Sequence, residues 1–514
     1  MAESDPQKEI EEPYELPEGW LWTTLGEICS KPQYGWTASA DPNGEGLKLL
    51  RTTDISPGNI SWPTVPACSK LPDDLDKYKL KPGDIVVSRA GSVGISIELT
   101  ECPNAIFASY LIRFNAMSPI QPRYISLFLK TPYYWSSIQD NTAGIAIPNV
   151  NATKLANLKI PLSPLSEQHR IVTKLEALLA QVNRSKDHLA KVPPLIKRFR
   201  QSVLAVACSG RLTEDWRREH PDVEPASELL NRIREERIRR YEEECRKAEA
   251  EGRRKPKKPK NIELQVVDTE GLPELPEGWV WTKLESACPD IVDCPHSTPK
   301  FQTDGKYCID TTCINGGKID FKKIRYVSEK TYQERIKRLK PRLNDVIFSR
   351  EGTIGNAVLL PDLDFCMGQR VMLFRSSSSV VPNYLVRYLN SQLLKDQYVH
   401  LTIGSTSPHI NVGDIKNMLT PLPALAEQRV IVEQVETLFN FADEVEQRVA
   451  AATDHTNHLT QSILARAFRG ELVPQDPRDE PASVLLERIK QKRAKNGMEK
   501  KTGKRKTETL LDYC

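Results

Sequence analysis

The densest grouping of reactive side chains lies early in the second half of the chain. Asp293-Cys294-Pro295-His296-Ser297-Thr298-Pro299 is a polar loop, and Cys288, Cys308 and Cys313 lie near it in sequence. Thiolates and imidazoles are ordinary zinc ligands, but structural zinc sites use tightly spaced cysteine pairs. Only Cys308 and Cys313 approach that spacing, and the first half has no counterpart. Asp293 and His296 could exchange protons with a substrate, yet no nucleophile pattern accompanies them. Two readings stay open. One is a metal-dependent hydrolytic site. The other is a set of buried thiols beside a loop whose Asp293, His296, Thr298 and Lys300 offer donors and acceptors to DNA bases or phosphates.

Two arginines suit the second reading. Arg89 in SRAGSVG and Arg350 in SREGTIG occupy matched positions beside glycines. Glycine lets a ligand approach the backbone, and the planar guanidinium suits bidentate contact with phosphate or guanine. Weaker candidates for the same role are Lys48 and Arg51 in LKLLRTTDI, Gln369 and Arg370 in MGQRVMLF, and Ser405 and Thr406 after Gly404. Signatures of other chemistry are missing from the sequence. There is no GxxxxGK[ST] phosphate loop, no GxGxxG after a strand, no [ND]PP[YF] run, and neither HExxH nor GxSxG.

Composition permits DNA binding without demanding it. The 514 residues carry 72 Lys and Arg against 68 Asp and Glu, so any basic surface must arise by local clustering. No run is long and apolar enough to span a membrane. The acidic start MAESDPQKEIEEPYE does not resemble a secretory leader. Eleven cysteines without framework spacing read as reduced thiols in a cytoplasmic protein.

The elements that must hold these residues come in duplicate. LPEGWLWTTL at Leu16 and LPEGWVWTKL at Leu275 share eight of ten positions. The glycine-flanked arginine segments follow. IPLSPLSEQHRIV at Ile160 then matches TPLPALAEQRVIV at Thr420, and QSVLAVACSGRL at Gln201 matches QSILARAFRGEL at Gln461. EPASELLNRI at Glu224 matches EPASVLLERI at Glu480. Blocks in one order at a nearly constant offset mean two domain-sized units, since the period is too long for a solenoid. Segments between blocks diverge, as in Ile28 to Lys70 against Cys288 to Lys330. A preserved scaffold therefore carries two different surfaces.

Each unit opens with short β-prone runs broken by Gly, Pro, Asn and Asp, which predicts a mixed α/β domain. A helical part follows. Ile171, Leu175, Leu178, Val182, Leu189, Val192, Ile196, Phe199, Val203 and Val206 form a heptad seam, matched from Ile431 to Ile463. Mutual pairing of the two seams is expected. The alternative is a helix packed on its own domain, or a coiled-coil scaffold without base readout. Pro193 and Pro194 should interrupt the first helix. Asn231 to Lys260 begins as a helix and ends as a basic linker, either touching DNA or serving as a solvated tether.

Together these motifs resemble the specificity subunit of Type I restriction-modification enzymes. The resemblance runs from Leu16 to Ile489 and rests on LPEGWxW, SRxGxxG, the DxPHxTP loop, PLxxLxEQ and QSxLAxAxxGxL in duplicated order. It implies an α+β fold in which two target recognition domains (16–165 and 275–425) are joined by two long helices (166–215 and 426–475). Those helices would form an antiparallel coiled coil with an internal pseudo-two-fold repeat. Residues 1–15 would be a flexible N-terminus, 216–274 a charged helical insert, and 476–514 a short helix with a basic disordered tail. The implied function is non-catalytic recognition of a bipartite double-stranded DNA target. Two methyltransferase subunits and two motor-nuclease subunits would be the partners, carrying S-adenosylmethionine, ATP and Mg. Glu167, Gln168, Glu427 and Gln428 would face the docked partners. The first copy departs from the pattern, with KPQYGWTASADPNG (Lys31 to Gly44) where the second has DxPHxTP. The resemblance therefore implies an asymmetric target.

Overall fold

The computed structural model describes residues 12–55, 58–142, 149–256, 258, 267–404 and 408–495. The chain forms two compact units that do not coincide with the two repeats. One contains residues 1–190 and 450–514, the other 191–449.

In the first unit, β1 (Leu21–Thr24) pairs antiparallel with β10 (Lys159–Leu162) and closes the intervening α/β region on itself. Between them lie two sheets. The first has the order β2 (Gln33–Tyr34), β9 (Leu111–Asn115), β6 (Asp84–Ser88), β7 (Ser96–Glu98), all antiparallel. Every residue of the inner strand β6 is buried, as the uninterrupted run DIVVS leads one to expect. The second sheet has the order β3 (Ala40–Asp41), β5 (Ala67–Cys68), β4 (Lys48–Leu50), β8 (Ala105–Phe107), with β4 and β8 parallel.

The second unit repeats this plan. β11 (Val280–Lys283) pairs with β22 (Leu419–Leu422). One sheet has the order β12 (Asp290–Asp293), β21 (Val371–Arg375), β18 (Val346–Ser349), β19 (Ala357–Leu359). The other has the order β13 (Phe301–Gln302), β17 (Arg325–Val327), β14 (Lys306–Ile309), β20 (Phe365–Met367). A small hairpin, β15 (Ile314–Asn315) with β16 (Lys318–Ile319), is added.

The ends of the helical seams pair as the heptads predict, whereas Phe199 and Leu459 along them are exposed. Helix Leu165–Ala190 stops, and helix Val192–Cys208 starts one residue later with its prolines in the first turn. There a missing N–H removes no bond. The second copy is a single 44-residue helix, Leu425–Phe468. Within the first unit, Ile171 and Leu175 share a core with Leu464, Ala467 and Phe468. Within the second, Val203, Leu204 and Ala207 share one with Ile431, Val432 and Val435. The start of each seam thus meets the end of the other, which is antiparallel pairing.

Each repeat's tail also closes on the other repeat's domain. The Ala482 N–H donates to Gly19 O, and the matched Ala226 N–H donates to Gly278 O. Arg493 donates to the carbonyls of Gly26 and Cys29, and the matched Arg237 to those of Glu285 and Cys288. One expectation needs correction here. Residues 1–11 lie outside the described residues, but Tyr14 is not loose: its hydroxyl donates to Phe468 O at 3.0 Å and its ring packs edge-on against Trp22. The short helix expected after residue 476 runs from 482 to 495, and the basic tail at 496–514 lies outside the described residues. Among the described residues no helix is long and apolar enough to cross a membrane.

Candidate nucleic-acid interface

SRxGxxG is a closed turn between two antiparallel strands in both units. The Gly94 N–H donates to Ser88 O at 2.9 Å and the Gly355 N–H to Ser349 O at 3.0 Å. Both glycines have left-handed backbones, φ +88 and +87°. A Cβ on Gly355 would lie 2.0 Å from the Tyr398 hydroxyl, so only glycine fits.

In the second unit this turn brings Arg350 to Asp293. Arg350 Nε donates to Asp293 Oδ1 at 2.8 Å and Nη2 to Oδ2 at 3.1 Å. Both side chains are nearly buried. Burial works against the Arg350 charge, and the hydrogen bond and charge of Asp293 outweigh it, so its pKa is held above the ordinary value. His296 Nε2 stands 3.5 Å from Asp293 Oδ2 with its ring mostly in solvent. Thr298 and Lys300 are exposed beside it. The loop is shaped from below by Arg335, which is 4% exposed. It donates to the carbonyls of Pro295, Ser297, Met367 and Gly368 at 2.6–3.4 Å. Gln369 is half-buried, whereas Arg370 is exposed with φ +68° and lies 3.3 Å from Glu351. Ser405 and Thr406 lie outside the described residues.

The first unit differs at the same strand position. Tyr34 pairs with Ile112 on β9, and Ile112 pairs with Val87 of β6. Asp293 pairs with Met372 on β21, and Met372 pairs with Phe348 of β18. Tyr34 therefore stands where Asp293 stands. Arg89 lies over the Tyr34 ring at 4.9 Å from its centroid, and among the described residues no carboxylate clamps it. Lys48 is half-buried on β4. Arg51 is spent on Asp54, through Nε at 3.0 Å and Nη2 at 2.8 Å.

The two Glu-Gln pairs expected to face a partner are interior. Glu167 accepts from Trp20 Nε1 at 2.8 Å and from Gln475 Nε2 at 3.3 Å. Glu427 accepts from Trp279 Nε1 at 2.8 Å, from Thr213 Oγ1 at 2.6 Å and from Arg217. Gln168 donates to Ser163 O, and Gln428 to the carbonyls of Pro423 and Ser379. All four are buried. PLxxLxEQ is thus the junction that ties a long helix to the LPEGW tryptophan of its own repeat.

The cysteines around the loop are core residues. Cys288, Cys294, Cys308 and Cys313 are buried while His296 is exposed. Among the described residues no group of three or more His, Cys, Asp or Glu side chains could hold a metal. Burial pushes the Cys288 thiol up to about 12 and raises Cys294 and Cys313, which disfavours the thiolate that metal binding needs.

Arg335, Tyr34 and the exposed Tyr110 were not singled out from sequence. Arg335 sits in the charge-rich stretch SEKTYQERIKRLK, where nothing sets it apart. Tyr34 falls in the segment opposite DxPHxTP, but its role depends on strand register.

Residues 17–192 and 301–452 match the family model of the Type I restriction modification DNA specificity domain. Over 95% of its length the chain is 30% identical to the Type I restriction enzyme EcoBI specificity subunit of Escherichia coli, 96% of which is covered. It is 27% identical to the EcoKI specificity subunit of E. coli K12 across 95% of this chain and 99% of that one. The fold is shared with a chain from the solved assembly of a type I R-M system (TM-score 0.60, 21% identity, 89% of this chain and 100% of that one). It is also shared with the HsdS subunit from Thermoanaerobacter tengcongensis (TM-score 0.50, 21% identity, 90% and 99%). The chain belongs to the Type I restriction-modification DNA specificity family, as a subunit that recognises DNA rather than one that catalyses.

Proposed function

We propose that the two recognition regions, 16–165 and 275–425, each read one half of an asymmetric bipartite DNA target. The observation that carries this is the mounting of different side chains on one scaffold. Tyr34 with Arg89 faces outward in one unit, and the His296–Lys300 loop over Asp293 and Arg350 occupies the matched place in the other. Arg370 and Lys48 extend these surfaces. The long helices would carry two methyltransferase subunits, with two motor-nuclease subunits completing the complex in the cytoplasm. S-adenosylmethionine, ATP and Mg would reside on those partners, since a specificity subunit needs no catalytic cofactor of its own. Sequencing methylated bases in cells that express this chain with its partners tests the reading. The expected result is one non-palindromic motif split by a fixed spacer. Palindromic or unsplit methylation would refute it.

A further inference from the structure

We propose that Arg89 reads a guanine in the first half-site from a platform formed by the Tyr34 ring, and that the residue at this strand position decides whether the hairpin arginine reads DNA at all. The inference rests on the reading that each unit recognises half of a DNA target.

The two hairpins have the same backbone, so the difference lies in what meets the arginine. Asp293 takes two N–H groups of Arg350 and fixes them inward. That arginine braces the loop and has little left to offer a base. Tyr34 takes none. Its ring lies 4.9 Å from the guanidinium carbon, and among the described residues no carboxylate takes the Arg89 N–H groups. The Tyr34 hydroxyl is itself fixed, accepting from the Ala152 N–H at 2.9 Å, so the platform does not swing. Among the described residues Arg89 Nε is buried without a hydrogen-bond partner, so only the Nη groups remain to meet a ligand.

The surroundings favour a base edge over a phosphate. A guanidinium whose plane is set presents two parallel N–H groups, the geometry of guanine O6 and N7 in the major groove. A phosphate contact would not require the plane to be fixed. Gly91 has open space where a Cβ would stand, so a duplex can approach the turn closely. Tyr110, whose carbonyl accepts from the Arg89 N–H at 2.9 Å, is 60% exposed in the turn before β9. Arg370 holds that place in the second unit, where Glu351 neighbours its charge.

The test uses the full chain in complex with its methyltransferase partner. Methylated bases are sequenced for the wild type and for Arg89→Ala, Tyr34→Leu, Tyr34→Phe and Arg350→Ala. Arg89→Ala and Tyr34→Leu should each relax one guanine in one half of the motif, cutting discrimination there by about tenfold to hundredfold. Unchanged preference in the other half reports, in the same molecules, that the protein is folded. Tyr34→Phe keeps the ring and should keep the guanine. Arg350→Ala removes the brace under the second unit's loop and should lower the melting temperature. An intact motif in Arg89→Ala would overturn the inference. So would a loss of binding shared by all sequences with a shallower salt dependence, which marks a phosphate contact. A wild-type complex with no bipartite motif would instead refute the reading of the units, and this inference with it.

Discussion

Truncating Asp293 to alanine leaves the Arg350 guanidinium in its nearly buried site with two unpaired donors. Loss of a charged hydrogen-bond partner there should destabilise the second unit by about 1–3 kcal/mol. Urea denaturation followed by a probe in residues 275–425 checks this, and an unchanged midpoint would mean the pair contributes nothing. Glu167 gives a pH signature of the opposite unit. Burial raises its pKa, while Trp20 and Gln475 stabilise the carboxylate only in part. A carboxyl whose pKa is higher folded than unfolded binds its proton more tightly in the native state. Its contribution is therefore complete below the unfolded value and is lost as pH rises through the folded one. Glu167→Gln should flatten that part of the stability curve, as measured by denaturation at a series of pH values. At this scale the motif arginines were legible because glycines frame them. Their partners were not, because Tyr34 and Asp293 come from strands about 55 residues away in sequence whose register no local pattern reveals. For the same reason the Glu-Gln pairs read as surface docking residues when they are buried helix anchors.

Duplicated elements constrain one another through short contacts at the helix ends. Gly210 and Gly470 end the two seams with φ +75 and +76°. A Cβ would lie 2.4 Å from Pro276 in one case and 2.3 Å from Pro17 in the other. Those prolines belong to LPEGW, so QSxLAxAxxGxL and LPEGW are two sides of one joint in each unit. Gly470→Ala forces an L residue into the left-handed region, at about 1–2 kcal/mol, before any cost of displacing the proline ring. Thermal melting should show the loss, and a stability equal to wild type would mean the joint opens freely. The heptads made the long helices visible, and the proline pair located the break at Lys191, because both are local signals. The sheets were legible only as a class. Strands of two to five residues carry too little pattern to give their order, and the parallel pairing of β4 with β8 is set by packing between distant segments.

At the scale of the molecule, the repeats and the compact units are out of phase, and this has a thermodynamic consequence. Residues 482–495 are the last described part of the second repeat, yet Ala482, Leu485, Leu486 and Ile489 complete the core of the first unit. Arg170 adds an ion pair to Asp479 at 2.7 Å, and Gln475 reaches Glu167. Ending the chain after Phe468 removes these contacts together. Fully buried Leu and Ile side chains contribute on the order of 1.5–3 kcal/mol each, which is a large share of a domain's usual margin of about 5–15 kcal/mol. The truncation should therefore weaken residues 12–190, at the opposite end of the sequence, and spare 275–425, which is closed by its own copy of the segment at Ala226–Ala250. Hydrogen exchange on the truncated chain distinguishes the cases. Faster exchange confined to the first unit is the expected result. Equal loss in both units, or loss confined to the second, would mean that each repeat stabilises its own domain.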